Sequence, residues 1–277
     1  MQLIHTKNEL QKQVSELKKQ GKTIGFVPTM GALHQGHLSL MQRAKSENQI
    51  TVCSIFVNPI QFNNPTDLEK YPKDLDADIN FIKDWVDIVF APSVSELYPE
   101  PPAEKFNFGT LETVMEGKFR PGHFQGVAVV VSRLFRLIEP DTTYFGEKDF
   151  QQLAIIKQMV KDLNLAVKII PCPIIRESNG LAMSSRNRRL SKTGFEKSAL
   201  IYRTLKDSTL LKGKKLEDIR QIVIQNIEKD CNFEVEYFEL VDGDTLQPVS
   251  DWKTTDYVVG CIAVYCENVR LIDNIRY

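Results

Sequence analysis

This sequence lacks an excess of charge of either sign. Its 35 lysines and arginines nearly cancel its 36 aspartates and glutamates, which leaves a formal net charge of -1 at pH 7. Such a balance supplies no broad positive field for a polynucleotide backbone, so we expect no nucleic-acid partner. Any anion site must then be a local cluster of groups.

Long hydrophobic runs are also missing. No apolar stretch reaches the roughly 18 to 20 residues that a membrane-spanning helix needs, and the N-terminal residues lack the apolar core of a secretory signal. We therefore expect no membrane partner and a cytoplasmic location. The five cysteines are an odd number without Cys-x-x-Cys spacing, which suits neither a disulfide framework nor a zinc site and predicts reduced, buried thiols.

What is present is the composition of an ordinary globular protein, with 42% hydrophobic and 26% charged residues among 277. Predicted strands and helices alternate through the first two-thirds of the chain, which is typical of a parallel sheet with crossover helices. Near-continuous apolar runs at 52–55 and 169–175 indicate strands covered on both faces. We predict an α/β fold with a doubly wound, Rossmann-like parallel sheet over 1–175 and a smaller C-terminal α+β domain over 176–277.

The predicted strands of the first domain are 23–28, 51–58, 86–91, 142–145 and 167–175, and its predicted helices are 6–19, a helix after His37, 74–85, 124–138 and 150–163. The second domain is predicted to hold helices 192–207 and 216–229 and strands 233–241, 257–265 and 269–275. Thr6 and Glu9 have the spacing of a capping box, which predicts the start of the first helix.

The first segment that carries chemistry, 28–37, lies where the first predicted strand gives way to a helix. A helix N-terminus offers unpaired backbone N–H groups, and Gly31 and Gly36 let the backbone approach a phosphate closely. His34 and His37 place two imidazoles in the same segment. Two alternatives remain for these histidines. They cap the helix or lie in the core, or they share a metal ion, although no third ligand stands at a recognisable spacing.

Two side-chain amides, Asn58 and Gln61, follow the second predicted strand. An open α/β sheet places its ligand crevice at the carboxyl ends of its strands. Amides both donate and accept hydrogen bonds, which suits a small substrate with hydroxyl and carboxylate groups. An Asn-Pro turn with a solvated Gln61 is the alternative.

Three aspartates, Asp74, Asp76 and Asp78, begin a predicted helix. Acidic residues are common there because they complement the helix dipole. Magnesium prefers a few carboxylates together with phosphate oxygens and water, so one of these aspartates is also a candidate for holding Mg-ATP.

Segment 144–152 repeats the passage from a strand through glycine into a helix. Lys148 offers an ammonium group to phosphate oxygens, and Gly146 permits close approach. The alternative is an exposed Glu-Lys-Asp turn.

Segment 180–189, at the predicted domain boundary, combines two serines with Arg186. Such hydroxyl and guanidinium groups suit phosphate oxygens. The alternative is a solvated basic linker.

Together these segments resemble one family. His34-Gln35-Gly36-His37 is similar to the His-x-Gly-His signature of the nucleotidylyltransferase superfamily, and the longer string 28–37 resembles the first signature of the pantothenate synthetase family, the pantoate-β-alanine ligases. The Gly-Glu-Lys-Asp string at 146–149, the loop 183–186 and the segment 116–124 resemble the same family. After that loop the likeness lies mainly in the pattern of elements.

The resemblance implies an enzyme that adenylates pantoate with ATP and Mg²⁺, releases pyrophosphate, and passes the pantoyl group to β-alanine with release of AMP. It implies a catalytic set of His37, His34 and Lys148. The implied ATP contacts are Met30, Gly31, Ala32, Leu33, His34, Gln35, Gly36, His37, Gly146, Glu147, Lys148, Asp149, Ile175 through its backbone, Met183, Ser184, Ser185 and Arg186. The implied contacts of pantoate or β-alanine are Gln61, Gln152 and Asn58.

The resemblance also points to Asp78 as the candidate for Mg²⁺, with Ala77 at a position where some relatives look acidic. It implies a homodimer. Arg120 and His123 keep two roles open, steering a carboxylate or supporting the fold. No Gly-x-Ser-x-Gly motif occurs, in agreement with a transfer that relies on positioning and charge compensation without a protein nucleophile.

Three other functions fit parts of the pattern. A different nucleotidylyltransferase joins a nucleotide to a phosphorylated metabolite and gives a stable adenylylated product. A tRNA-charging enzyme is disfavoured by the short chain and the balanced charge. A regulatory module binds a nucleotide without turnover, since fold and phosphate loops do not by themselves prove chemistry.

Overall fold

The computed structural model describes all 277 residues. Its first elements are β1 (Gln2–Ile4), α1 (Lys7–Lys19), β2 (Ile24–Thr29), α2 (Gln35–Glu47), β3 (Ile50–Ile55), a 3-10 turn (Pro59–Gln61), α3 (Pro65–Glu69), α4 (Leu75–Ile82), β4 (Ile88–Phe90) and α5 (Val94–Leu97). They are followed by a 3-10 turn (Gly109–Glu112), α6 (Met115–Phe119), α7 (His123–Ile138), β5 (Thr142–Gly146), α8 (Phe150–Asp162) and β6 (Lys168–Cys172). The last elements are a 3-10 helix (Ser185–Arg189), α9 (Lys192–Lys197), α10 (Ala199–Thr209), α11 (Leu216–Glu228), β7 (Phe233–Asp242), β8 (Val258–Cys266) and β9 (Val269–Arg276).

Six strands form one parallel sheet in the order β1-β4-β3-β2-β5-β6, which confirms the predicted Rossmann-like architecture. The order reverses between β2 and β5, where Phe26 pairs with Thr143. Ligands of open α/β sheets bind outside the carboxyl ends of the strands at such a switch point. The loops that follow Thr29 and Gly146 leave the sheet at that edge.

The central strands are buried because helices cover the parallel sheet. Val27, Cys53 and Val89 have no exposed surface and belong to one apolar cluster with Met41 and Ala44 of α2. Buried parallel strands are uniformly apolar for this reason. The cluster fixes the strand ends from which the chemistry-bearing loops extend.

A second, antiparallel sheet in the order β7-β8-β9 lies in the C-terminal part and confirms the predicted α+β arrangement there. Phe238 and Ile262 of this sheet share a core with Leu205 of α10 and with Ile219 and Val223 of α11. The helices cover one face of the sheet, as the apolar periodicity of α11 predicts.

The chain divides into two compact units that are not single stretches of sequence. Unit 1 holds residues 1–108, 120–147 and 152–173, and unit 2 holds residues 109–119, 148–151 and 174–277. Unit 2 therefore includes two short segments that precede its main stretch. The division into domains 1–175 and 176–277 stays a prediction.

Several predicted bounds were wrong. Helix α2 begins at Gln35, not after His37. The predicted strand 51–58 ends at Ile55, and the predicted strand 167–175 ends at Cys172, because its only neighbour, β5, ends at Gly146, which pairs with Cys172. The predicted helix 192–207 is two helices, α9 and α10, divided at Ser198, whose Oγ donates to the Gly194 carbonyl at 2.7 Å.

Other local predictions are confirmed, and a few elements were missed. Thr6 caps α1 by accepting a hydrogen bond from the Glu9 backbone N–H. The short elements β1, α3, α5 and α6 had not been predicted. None of the helices combines the length and the apolar character needed to cross a bilayer.

All five cysteines are free. Four of them are buried as predicted, and burial raises the pKa of the Cys53 thiol to about 12. Cys231 is exposed, which contradicts the prediction for that residue, because it lies in the short turn between α11 and β7.

Candidate active site

The loop after β2 contains two consecutive residues in the left-handed region, Gly31 at φ 80° and Ala32 at φ 51°. Asp78 of α4 holds this loop, because its Oδ2 accepts the Ala32 N–H at 2.9 Å and its Oδ1 accepts the Leu33 N–H at 2.7 Å. A Cβ at Gly31 would lie 2.8 Å from Asp78 Oδ2, so the close approach requires glycine. The carboxylate, only 6% exposed, offsets the cost of the left-handed alanine.

The two histidines form a reciprocal cap at the start of α2. Nδ1 of His34, the N-cap residue, accepts the Gly36 N–H at 3.1 Å, and Nδ1 of His37 accepts the His34 N–H at 3.3 Å. Their ring centroids are 4.0 Å apart. Because both Nδ1 atoms accept hydrogen bonds, the neutral rings carry their protons on Nε2. Capping therefore fixes two imidazoles as Nε2–H donors at the switch point of the sheet.

Gln61 is buried and oriented by its neighbours. Its Oε1 accepts a hydrogen bond from Asn58 Nδ2 at 3.0 Å, and its Nε2 donates to Met30 Sδ at 2.8 Å. Asn58 in turn donates to the Gly126 carbonyl at 3.0 Å. The alternative of a solvated Gln61 in a simple Asn-Pro turn is wrong, since Gln61 is 8% and Asn58 1% exposed.

Tyr98 completes this network, and sequence reasoning missed it. Its hydroxyl donates to Asn58 Oδ1 at 2.9 Å. Burial raises the pKa of Tyr98, so the hydroxyl keeps its proton and acts as a donor. With both ends of the Asn58 amide thus assigned, the amide of Gln61 has a single orientation that points its N–H₂ toward Met30. Nothing local in the Pro-rich segment around Tyr98 signals this contact.

Helix α7 packs against the 3-10 turn that carries Gln61. His123 Nδ1 lies 2.8 Å from the Gln61 carbonyl and, to pair with it, must carry a proton that it donates. A Cβ at Gly126 would lie 2.5 Å from the Ile60 carbonyl oxygen and 2.7 Å from Gln61 Cα. Of the two roles left open for His123, these contacts favour support of the fold. The Arg120 carbonyl accepts the His123 N–H at 3.0 Å.

The segment after β5 is divided between the two units. Gly146, Glu147 and Gln152 belong to unit 1, whereas Lys148 and Asp149 belong to unit 2. Gln152 is half-buried in the first turn of α8. The Lys148 side chain is 18% exposed, with its Nζ 3.4 Å from Asp149 Oδ2, whereas the Asp149 side chain is 47% exposed, so the Glu-Lys-Asp turn is exposed only in part.

Within unit 2, the remaining predicted ATP residues lie on a tightly bonded loop. The Ile175 carbonyl accepts the Met183 N–H at 2.9 Å, and Arg176 and Ala182 form an antiparallel bridge. Ser184 then caps the 3-10 helix 185–189 by accepting the Arg186 N–H. Ser185 is buried, which an unstructured basic linker would not produce.

A resident metal centre does not fit the donor set. No group of three or more His, Cys, Asp or Glu side chains is arranged to hold a metal ion. Both oxygens of Asp78 accept backbone N–H groups, so this carboxylate already has a structural task. The chain thus offers no protein-built cage, and any Mg²⁺ would depend mainly on phosphate oxygens and water.

A family model described as pantoate-beta-alanine ligase matches residues 2–276. The chain belongs to the pantoate-β-alanine ligase family. A pantothenate synthetase of Bacteroides thetaiotaomicron is 52% identical over 279 residues, covering 100% of this chain and 99% of that one. One of Phocaeicola vulgatus is 53% identical over 280 residues, with the same coverage. As a member of this family the chain is an enzyme, a ligase of pantothenate biosynthesis.

Solved structures of the family agree with the fold. A pantothenate synthetase from Thermus thermophilus superposes with a TM-score of 0.92 at 40% identity, covering 99% of each chain. A pantoate-β-alanine ligase from Francisella tularensis, complexed with β-γ ATP and β-alanine, has a TM-score of 0.82 at 37% identity and covers 100% of this chain and 97% of that one.

Proposed function

We propose that this ligase joins pantoate to β-alanine through a pantoyl adenylate. A pantoate carboxylate oxygen attacks the α-phosphorus of ATP, forming a P–O bond as pyrophosphate leaves. The amine of β-alanine then attacks the acyl carbon, loses a proton, and expels AMP. The Francisella relative, which is complexed with β-γ ATP and β-alanine, supports the assignment of ATP and β-alanine as substrates.

The observation that carries this proposal is the imidazole pair at the start of α2. Two Nε2–H donors beside a helix N-terminus stabilise the charge that develops on phosphate oxygens as pyrophosphate departs. Since the capping bonds hold both rings before substrate arrives, little reorganisation is needed during the reaction. His37 is assigned as the principal donor, and His34 helps to place the nucleotide.

The amide network supports the assignment of pantoate to Gln61. A fixed Gln61 N–H₂ group suits a carboxylate or hydroxyl oxygen, and the burial of Gln61 and Asn58 makes an unmatched substrate costly. Gln152 is assigned to the same substrate. Lys148, Ser184, Ser185 and Arg186 are assigned to phosphate oxygens, with the backbone of Ile175 and the loop 30–33 at the nucleotide.

Magnesium is proposed to enter as part of the Mg-ATP substrate, where it neutralises phosphate charge. The residues assigned to ATP then orient the nucleotide and donate hydrogen bonds, and no proton transfer is assigned to the metal.

By resemblance to the family we also propose a homodimer, to be tested by light scattering against the 31.7 kDa mass of one chain. Because ATP is its substrate, we propose that the enzyme works in the cytoplasm.

The deciding experiment measures AMP and pyrophosphate from ATP, Mg²⁺ and pantoate, with and without β-alanine. We expect pantothenate and AMP in equal amounts only when both acids are present, and a bound pantoyl adenylate when β-alanine is withheld. A stable nucleotide conjugate that accumulates as the final product would instead indicate a different nucleotidylyltransferase. Nucleotide binding without any product would indicate a regulatory module.

A further inference from the structure

Two neighbouring residues of β9, Asp273 and Asn274, hold the two segments of unit 2 that are assigned to ATP. Neither belongs to any of the sequence motifs, and both are buried, at 4% and 9% exposure. Lys148 and Arg176, which they contact, belong to the same unit.

Asn274 holds the Lys148 segment. Its Nδ2 donates to the Lys148 carbonyl at 3.1 Å. The same segment is held at its other end by Gln151, whose Nε2 donates to the carbonyls of Leu111 at 2.7 Å and Val114 at 2.9 Å. These bonds fix the backbone from which the Lys148 ammonium projects.

Asp273 holds the serine loop through Arg176. Its two carboxylate oxygens accept from the two Nη atoms of Arg176, at 2.6 and 3.0 Å. The same guanidinium donates to the Gly180 carbonyl at 3.1 Å and lies over the Tyr202 ring, 3.6 Å from its centroid. Arg176 is the residue that bridges to Ala182, so this ion pair fixes the base of the loop that leads to Ser184.

A purely stabilising role accounts poorly for this arrangement. A buried ion pair recovers little more than its own desolvation cost and is often replaced by apolar residues without loss of stability. Asp273 and Asn274 instead fix the positions of two separate loops relative to each other, because they are adjacent residues of one rigid strand.

We propose that Asp273 and Asn274 are positioning residues for ATP, which keep the ammonium of Lys148 and the hydroxyls of the serine loop in register for the phosphates. The inference rests on the proposed function for the assignment of Lys148 and Ser185 to ATP. It adds two residues of the last strand to the groups on which nucleotide binding depends.

The test is equilibrium binding of a non-hydrolysable ATP analogue to Asn274→Ala. Loss of the hydrogen bond to the Lys148 carbonyl predicts a roughly 5- to 10-fold weaker affinity, with an unchanged KM for pantoate. Asn232→Ala, which alters an exposed asparagine of the same unit, should bind the analogue like the wild type. In a Lys148→Ala background, Asn274→Ala should cause no further loss, because it acts through Lys148.

Equal analogue affinity for Asn274→Ala and the wild type would overturn the inference, as would a full additional loss in the Lys148→Ala background. If the variants do not fold, hydrogen exchange of the wild type provides the measurement. Analogue binding should then protect 148–151, 175–186 and 269–276 together, and an unprotected β9 would overturn the inference. A wild type that binds the analogue but forms no pantothenate refutes the proposed function alone, whereas a productive wild type with an unaffected Asn274→Ala refutes only the positioning role.

Discussion

Gly126→Ala is expected to damage pantoate use, although Gly126 itself is not assigned to any substrate. Gly126 lies in α7 beneath the 3-10 turn that carries Gln61. The added Cβ would meet the Ile60 carbonyl oxygen at 2.5 Å, Gln61 Cα at 2.7 Å and the Ile60 carbonyl carbon at 2.7 Å. All three are backbone atoms, so no side chain can rotate away and the turn itself must move.

The size of the effect follows from these distances. Restoring an ordinary contact of about 3.4 to 3.5 Å requires the turn to shift by roughly 0.7 to 1 Å. Misplacement of a substrate group by 1 Å costs on the order of 10²-fold in rate, so we expect kcat/KM for pantoate to fall about 10- to 100-fold. Overpacking costs about 1 to 3 kcal/mol, but alanine gains about 1 kcal/mol of helix propensity over glycine, which leaves a net loss of about 0 to 2 kcal/mol.

The assay is pantothenate formation with pantoate or ATP varied separately, beside thermal unfolding. Val131→Ala, in the same helix and also buried, is the matched control because it should lose comparable stability without displacing Gln61. We expect the pantoate defect in Gly126→Ala only, with ATP saturation within about two-fold of wild type. Wild-type pantoate kinetics in Gly126→Ala, or the same defect in Val131→Ala, would refute the reasoning.

Three further predictions use this assay together with the measurement of pyrophosphate in the absence of β-alanine. His37→Ala should lower adenylate formation roughly 10²- to 10³-fold, because a preorganised donor to the phosphates is lost, and nearly unchanged formation would refute its role. Lys148→Ala should weaken ATP saturation with little change in the unfolding midpoint, and normal nucleotide kinetics would count against it. Tyr98→Phe removes only the hydroxyl that orients Asn58, so pantoate kcat/KM should fall by roughly 3- to 10-fold; a change confined to ATP would contradict the network.

Sequence periodicity and turn chemistry predicted five of the six strands of the parallel sheet because each of those five is a local apolar run with Gly, Pro or Asn close to its end; the missed strand, β1, has only three residues. Helix bounds failed where a side chain competes with the pattern. The predicted start of α2 was displaced because His34 is itself the N-cap, and Ser198 interrupts what reads as one helix. Such local hydrogen bonds override periodicity over one or two residues.

Contacts that span long stretches of sequence were beyond prediction. Tyr98 reaches Asn58 across 40 positions, and Asn274 reaches Lys148 across 126. Neither Tyr98 nor Asn274 lies in a motif, and a single sequence contains no signal for a pair that forms only when distant elements pack. Gly126 reads as an ordinary helix glycine until the 3-10 turn is placed against it.

Asp78 combines a local sequence signal with a contact between distant segments of the chain. Its place among early helix aspartates suggests either a dipole effect or a ligand for Mg²⁺, yet its carboxylate binds the backbone of a loop 45 and 46 positions earlier. Those bonds hold Ala32 in the left-handed region, and the chain leaves Leu33 directly into the His34 cap. The placement of both imidazoles therefore depends on a carboxylate from α4. Since both oxygens of that carboxylate accept backbone N–H groups, we propose that Mg²⁺ enters with ATP and takes most of its oxygen ligands from phosphates and water.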